Sequence, residues 1–138
     1  MILSAAAPLA TSALPMYSSI DDTGPLVDAL LRSSAGHKVI GVNRWLSLRE
    51  FAKILAQVVG IKNVEFIDKN PDMNQLCDPD FVEDAMDMIG WYVEFGFDGG
   101  KVDKTVEQPS ELGVEIGLRS VEQWCRKQNW EGVLKVID

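Results

Sequence analysis

The segment from Ser47 to Gly60 constrains the fold more than any other part of the sequence. Ser47-Leu48-Arg49-Glu50 matches a capping box, in which the serine oxygen accepts a first-turn N–H and the glutamate reaches back to the cap. Apolar residues then recur at helical spacing up to Gly60, and glycine readily adopts the left-handed conformation that ends a helix. The segment therefore predicts an amphipathic helix with a defined start and end.

Two segments with strand character flank this helix. Residues 38–43 (KVIGVN) and 64–67 (VEFI) are short, largely apolar and contain β-branched side chains. Together they predict a strand–helix–strand unit over residues 38–67, for which a right-handed crossover is the default.

Three further helices are predicted from start signals and periodicity. Asp22 or Thr23 can cap the first, residues 79–95 form the longest, and Ser120 caps a last helix over residues 120–129. The first helix has an apolar stripe, formed by Leu26, Val27, Leu30 and Leu31. The longest helix has a predicted buried face, formed by Phe81, Val82, Ala85, Met86, Ile89, Tyr92 and Val93.

The order of these elements predicts an α/β or α+β fold. Residues 1–20 form an extended lead-in, and the whole chain, 1–138, fits one domain with about four helices and a small sheet of two to three strands. The composition, 46% hydrophobic and 25% charged, is that of an ordinary globular protein.

The charge balance indicates which classes of partner the chain can bind. Thirteen basic and 21 acidic residues give a net charge of −8. This balance opposes nucleic-acid binding, because neutralising phosphates requires clustered Lys and Arg. We therefore expect no nucleic-acid partner.

The apolar N-terminal segment and the two cysteines indicate the cellular compartment. The apolar run over residues 1–15 is shorter than the roughly 20 residues of a membrane span, so we expect no membrane partner. It has no basic start, which leaves a signal peptide as the weaker alternative. Cys77 and Cys125 stand far apart without metal-ligand spacing, so we expect no metal and two reduced thiols in a cytoplasmic protein.

Four side chains are candidates for acid–base catalysis: Asp22, His37, Tyr92 and Glu94. Histidine titrates near neutral pH, so His37 is either a general base or a solvated loop residue. Asp22 belongs either to a carboxylate pair with Asp21 or to a helix cap with a solvent-facing neighbour. Glu94 lies near the negative end of the longest helix.

Aromatic side chains are candidates for binding a hydrophobic molecule. Trp91 and Tyr92 are adjacent and cannot both enter one narrow core, so one of them is expected to face a groove or a partner. The predicted substrate-binding residues are Tyr17, Trp45, Trp91, Phe95 and Phe97. Core packing and self-association are the alternatives.

Four segments in order carry a family resemblance. They are LP and SIDDTG within 14–24, the strand and helix of 38–60 with LSLREFAKILAQVVG, DFVEDAMDMIGWYVEFGFDGG at 80–100, and GLRSVEQWCRKQNW at 117–130. In this order they resemble the C-terminal part of the NmrA-like family, atypical relatives of short-chain dehydrogenases/reductases, many of them fungal. The resemblance implies a truncated substrate-side subdomain, which forms one wall of a substrate or partner cleft.

The cofactor half of such proteins is missing. The family's GxxGxxG turn, which brings a dinucleotide to a helix N-terminus, is absent, and the glycines near residue 100 follow a helix instead. No Tyr-x-x-x-Lys pair occurs, because Asp21 and Gly96 stand four residues after Tyr17 and Tyr92. We therefore expect no cofactor and no self-sufficient NAD(P)-dependent oxidoreductase.

Two functions remain open. The first is a cofactor-independent, non-redox enzyme, such as an isomerase, cyclase or dehydratase, which acts on a hydrophobic small molecule in fungal secondary metabolism. The second is a regulatory or protein-binding NmrA-like module, or a fragment of a longer NAD(P)-binding protein. Loss of a packed half would expose apolar surface, so we also expect a homodimer.

Overall fold

The protein has the α/β class predicted from its sequence. The structure, a computed structural model, describes residues 2–4, 10–62, 64–67, 78–100 and 104–130. Within these ranges lie four α-helices, as predicted, and four short strands. The elements are β1 (Ile2–Ser4), β2 (Leu14–Met16), α1 (Thr23–Arg32), β3 (Arg44–Leu46), α2 (Leu48–Val59), β4 (Glu65–Ile67), α3 (Pro79–Phe95) and α4 (Val121–Lys127), with a 3-10 turn at Pro109–Leu112.

The predicted limits of α2 are confirmed. The Ser47 hydroxyl accepts the N–H of Glu50 at 3.2 Å, and the Glu50 carboxylate accepts the N–H of Ser47 at 2.8 Å. Gly60 follows the helix with a φ of 77°, in the left-handed region that favours glycine. The long helix, α3, also has its predicted bounds.

The strands are arranged differently from the prediction. β1 pairs with β4 in parallel, and β2 pairs with β3 antiparallel, so the strands flanking α2 belong to two separate pairs. The predicted single strand–helix–strand unit over residues 38–67, with its crossover, is therefore wrong. The predicted strand over residues 38–43 is also wrong, because only Val39 bridges to a neighbour there, Glu107. Gly41 weakens strand formation in that segment, and β3 begins just after it.

The hydrophobic core lies between α2 and α4, with β3 at its side. Leu46, Ile54, Leu55, Val121 and Cys125 are its buried members. The partly buried residues packed against them are Met16, Phe51, Val58, Val59, Trp124 and Trp130.

Two predicted apolar faces are largely uncovered. In α1, Leu26 is buried, but Val27 and Leu30 are exposed and Leu31 is 81% exposed. α3 contains no buried residue along its 17 positions. The predicted burial of the α3 face is wrong, because periodicity indicates an apolar side without indicating what covers it.

No helix in the described part of the chain combines the length and apolar character that a bilayer crossing requires. Cys125 is a free, buried thiol, and Cys77 lies outside the described residues.

Candidate functional site

A cavity of about 160 Å³ lies where β2, the start of α1, α2 and α4 meet. Its apolar walls are Met16, Phe51, Val121 and Trp124, all of which belong to the core or pack against it. Tyr17, Ser18, Asp22, Asn43 and Arg119 complete the lining. An apolar cavity of about 150 Å³ accommodates a benzene-sized molecule, so this one has room for a small ring.

Asp22 is the buried charge of this cavity, with only 2% of its surface exposed. The Ser18 N–H donates to its Oδ2 at 2.8 Å, and the Asn43 Nδ2 donates to its Oδ1 at 3.1 Å. Asp22 occupies the cap position of α1, yet its side chain makes no capping hydrogen bond. The two donors offset the cost of burying the carboxylate and fix its orientation.

Asn43 ties the carboxylate to the other side of the cavity. Its Nδ2 also donates to the Arg119 carbonyl oxygen at 2.8 Å, and its backbone N–H donates to the Met16 carbonyl oxygen at 2.8 Å. Asn43 therefore connects β2 through its backbone, and the start of α1 and the segment leading into α4 through its side-chain amide.

Arg119 is held by the neighbouring carboxylate rather than by Asp22. Its Nη1 donates to Asp21 Oδ1 at 2.6 Å, and Lys127 Nζ lies 3.6 Å from the same oxygen. The hydrogen bond from Arg119 is the main cause that lowers the pKa of Asp21 below its ordinary value. Both carboxylates also accept from Ser18, but only Asp21 pairs with basic side chains, so the suggested solvent-facing neighbour of Asp22 is an ion-paired residue.

Tyr17 joins the same cavity. Its hydroxyl hydrogen-bonds the hydroxyl of Thr23, which donates to the Ser19 carbonyl oxygen at 2.6 Å. Of the predicted site residues, the structure therefore brings Tyr17 and Asp22 together.

A second cavity, of about 440 Å³, collects other predicted residues. Trp45, Tyr92 and Phe97 line it, and the Tyr92 and Phe97 rings lie 4.8 Å apart between centroids. Gln108 Oε1 accepts the Trp45 indole N–H at 2.7 Å. Tyr92 thus lines this second cavity together with Trp45 and Phe97.

The other predicted site residues of α3, which are Trp91, Glu94 and Phe95, line neither cavity. Trp91 is 55% exposed and its ring lies 4.4 Å from that of Phe95. Glu94 is exposed near the end of the helix. The four predicted catalytic residues therefore do not converge on one site.

His37 lies in a hydrogen-bonded chain of its own. Its Nδ1 lies 2.6 Å from Glu107 Oε2, and its Nε2 lies 3.0 Å from the Ser34 hydroxyl. Both His37 and Glu107 are partly buried, with 22% and 32% of their side-chain surfaces exposed. The histidine is therefore held from both ring nitrogens, unlike a freely solvated loop residue.

Sequence reasoning missed Asn43, Arg119, Ser34 and Glu107. The partners of these residues in the site include residues that lie 70 to 98 positions away in the chain, and no local motif records such pairs. Ser34 alone had a local signal, since it stands three residues before the single histidine.

Comparisons with models of known protein families, with curated proteins and with solved structures find no match for this chain. Among the described residues, no group of three or more His, Cys, Asp or Glu side chains is placed to hold a metal ion.

Proposed function

We propose that this protein is a cofactor-independent, non-redox enzyme that moves a proton on a small hydrophobic molecule bound in the Asp22 cavity. The observation that carries the proposal is a buried, oriented carboxylate in a cavity whose other walls are mainly apolar. A carboxylate is a general base, and a small apolar cavity selects a molecule without charge.

The residues of the cavity have distinct roles in this proposal. Asp22 removes a proton from a carbon next to a carbonyl group. Its return to the same carbon exchanges that hydrogen with solvent, and its return to another carbon isomerises the substrate. Arg119 uses one N–H on Asp21, and its guanidinium has further donors that stabilise the negative charge developing on the carbonyl oxygen. Met16, Phe51 and Trp124 hold the apolar body of the molecule.

The proposal keeps the substrate-side role that the NmrA-like resemblance implies. It assigns the wall of the cleft to β2, α2 and α4, and it requires no nicotinamide. Membership of that family and a place in fungal secondary metabolism stay part of the proposal.

The experiment uses cyclohexanone as the probe in D₂O. NMR follows the exchange of the hydrogens next to its carbonyl, with the wild-type chain and with Asp22→Asn. We expect exchange above the buffer rate, and a loss of about 10²-fold or more in Asp22→Asn, as for removal of a general base. Asp28→Asn is the matched control, since Asp28 is an exposed carboxylate on α1 that pairs with Arg32.

A binding measurement separates chemistry from folding. Indole perturbs the resonances of Phe51 and Val121 if it enters the cavity, and we expect the same perturbation in Asp22→Asn. Exchange at the buffer rate in the wild type, or full exchange in Asp22→Asn, would disprove the role of Asp22.

A protein-binding module is the second candidate, and α3 favours it. Residues 79–95 include exposed Phe81, Met88 and Trp91 together with five carboxylates and no basic side chain. Such a helix suits an amphipathic partner that is basic. Two α3 helices would bring ten carboxylates together, which opposes pairing of two copies through this face.

Calorimetry with a synthetic helical peptide of leucine and lysine tests this candidate. We expect binding that weakens in Trp91→Ala and in Asp84→Lys, and that persists in Ile20→Ala, a control at an exposed apolar residue outside α3. Sedimentation of the chain alone tests the homodimer. No binding, or equal binding by all variants, excludes α3 as the docking surface.

A further inference from the structure

Ser34, His37 and Glu107 form a chain of three side chains connected as in a serine-hydrolase triad. The Ser34 hydroxyl lies 3.0 Å from His37 Nε2, and Glu107 Oε2 lies 2.6 Å from His37 Nδ1. A hydrogen-bonded nucleophile, base and orienting carboxylate are the geometric mark of an activated serine. None of the three lines the Asp22 cavity.

The proton positions in this chain follow from the chemistry of the carboxylate. An ionised glutamate can only accept, so Nδ1 of His37 carries the proton that lies between them. In the neutral imidazole Nε2 is then an acceptor, and it accepts the proton of the Ser34 hydroxyl. This is the orientation in which a histidine can deprotonate a serine.

The backbone fixes the three residues relative to one another. Ser34 follows the end of α1, and Gly36, with a φ of 101°, turns the chain so that His37 faces back toward it. Glu107 is held by two backbone hydrogen bonds, from its own N–H to Lys38 O at 2.8 Å and from Ile40 N to its carbonyl oxygen at 3.0 Å. The orienting carboxylate therefore sits on a backbone bridge next to the histidine.

The turn also offers donors for an oxyanion. Within the described part of the chain, the amides of Ala35 and Gly36 donate no hydrogen bond to another group. In α/β-hydrolases the amide of the residue after the nucleophilic serine is one of the oxyanion donors, and the corresponding residue here is Ala35. Ser34 is exposed, so an ester reaches it directly from solvent.

We propose that this protein has a second, independent activity, hydrolysis of carboxylic esters, with Ser34 as nucleophile, His37 as general base and Glu107 as positioning residue. The Ser34 oxygen bonds to the acyl carbon while His37 takes the hydroxyl proton, and the alkoxide leaves with that proton as an alcohol. Water then adds to the acyl carbon while His37 takes its proton and returns it to Ser34, which releases the carboxylic acid.

The last turn of α1 indicates the kind of acyl group. Leu31, 81% exposed, and Leu30, 38% exposed, stand three and four residues before Ser34, so both offer exposed apolar side chains on the last turn of the helix that leads to the serine. An ester with an apolar acyl chain gains contact there, whereas an acetyl group is too short. We expect Leu31→Ser to raise the KM for p-nitrophenyl butyrate and to leave that for p-nitrophenyl acetate unchanged.

The experiment measures background-corrected hydrolysis of p-nitrophenyl butyrate and labelling by a fluorophosphonate. We expect labelling at Ser34, and a loss of about 10²-fold or more in the hydrolysis rate of Ser34→Ala. Ser33→Ala is the matched control, because the Ser33 hydroxyl donates to the Leu30 carbonyl oxygen at 2.8 Å and does not contact His37. We expect it to keep the wild-type rate.

Rescue experiments test the other two residues. Imidazole added to His37→Ala should restore part of the hydrolysis rate, which a purely structural histidine would not allow. Glu107→Asp should recover part of the rate that Glu107→Gln loses. A fluorophosphonate label on another residue, or equal rates for Ser34→Ala and Ser33→Ala, would overturn the proposal and leave the chain of hydrogen bonds as a loop-closing contact.

Discussion

Arg119 donates from Nη1 to Oδ1 of Asp21 across 2.6 Å, although 98 positions separate the two residues in the chain. Asp21 precedes the buried carboxylate of the cavity, and Arg119 lies at the entrance to α4. Only 16% of the Asp21 side chain is exposed. The pair therefore joins the start of α1 to the segment before α4 beside the cavity, which Arg119 lines.

The pKa of Asp21 predicts a pH dependence of stability. Arg119 lowers this pKa below the ordinary value of 3.8, so the ionised carboxylate stabilises the folded state above that pH. The stabilisation is lost as the pH falls through the lowered folded-state pKa. We expect Asp21→Asn to lower the Tm at pH 7, and the difference from wild type to shrink below about pH 3.8.

Thermal unfolding followed by circular dichroism between pH 7 and pH 2 measures this effect. Asp28→Asn is the control, since Asp28 forms an exposed ion pair four residues from Arg32 and such pairs contribute little. A Tm difference for Asp21→Asn that does not change with pH would show that the ion pair is not its cause.

The capping box of α2 predicts a loss of stability on removal of one hydroxyl. Ser47→Ala leaves the Glu50 N–H without its acceptor and should cost about 0.5–2 kcal/mol of unfolding free energy. The backbone N–H of residue 47, the main cause that lowers the pKa of Glu50, stays in this variant, whereas the hydroxyl's contribution to the lowered pKa is lost. Urea denaturation measures the first effect, and Gln57→Ala on the exposed side of the same helix serves as control. Equal stability of the two variants would contradict the prediction.

The elements that the sequence predicted well are those whose signals are local. The residues from Ser47 to Glu50 predict the start of α2 and Gly60 predicts its end, and the structure has both. The strand partners, by contrast, depend on which segments meet after folding. Pro15 pairs with Trp45 across 30 positions, a pairing that no short pattern indicates.

In the candidate site, too, residues with a local sequence signal were predictable and residues defined by distant contacts were not. Asp22, a carboxylate at a predicted helix start, and Tyr17, a predicted aromatic binding residue, both line the cavity. Asn43 carries no sequence signal, yet its amide connects Asp22 with the carbonyl oxygen of Arg119. Periodicity marked the apolar faces of α1 and α3 correctly as apolar, but burial depends on a neighbouring element that the pattern does not specify.

Burial within the core predicts a contrast between two leucines. Leu55 is 4% exposed and belongs to the core between α2 and α4, whereas Leu31 is 81% exposed. We expect Leu55→Ala to cost about 2–5 kcal/mol of unfolding free energy, since it removes packed methyl groups and leaves a cavity. Leu31→Ala should change the free energy by less than about 0.5 kcal/mol in the same urea titration. Comparable losses in both variants would show that α1 is covered in solution.

Burial also predicts the reactivity of Cys125. Its surface is fully buried in the core, and burial raises the pKa of the thiol, which lowers the thiolate fraction. The indole N–H of Trp130 donates to the Cys125 carbonyl oxygen at 2.7 Å and holds the Trp130 ring beside the end of α4.

In a Cys77→Ser background, we expect the single thiol to react with Ellman's reagent at least about tenfold more slowly in the folded state than in guanidinium. Arg126→Cys, combined with Cys125→Ser in that background, places a thiol on the exposed side of the same helix and should react rapidly when folded. Rapid reaction of Cys125 in the folded state would contradict its burial in a stable core, since the thiol would then become accessible by local opening on the time scale of labelling.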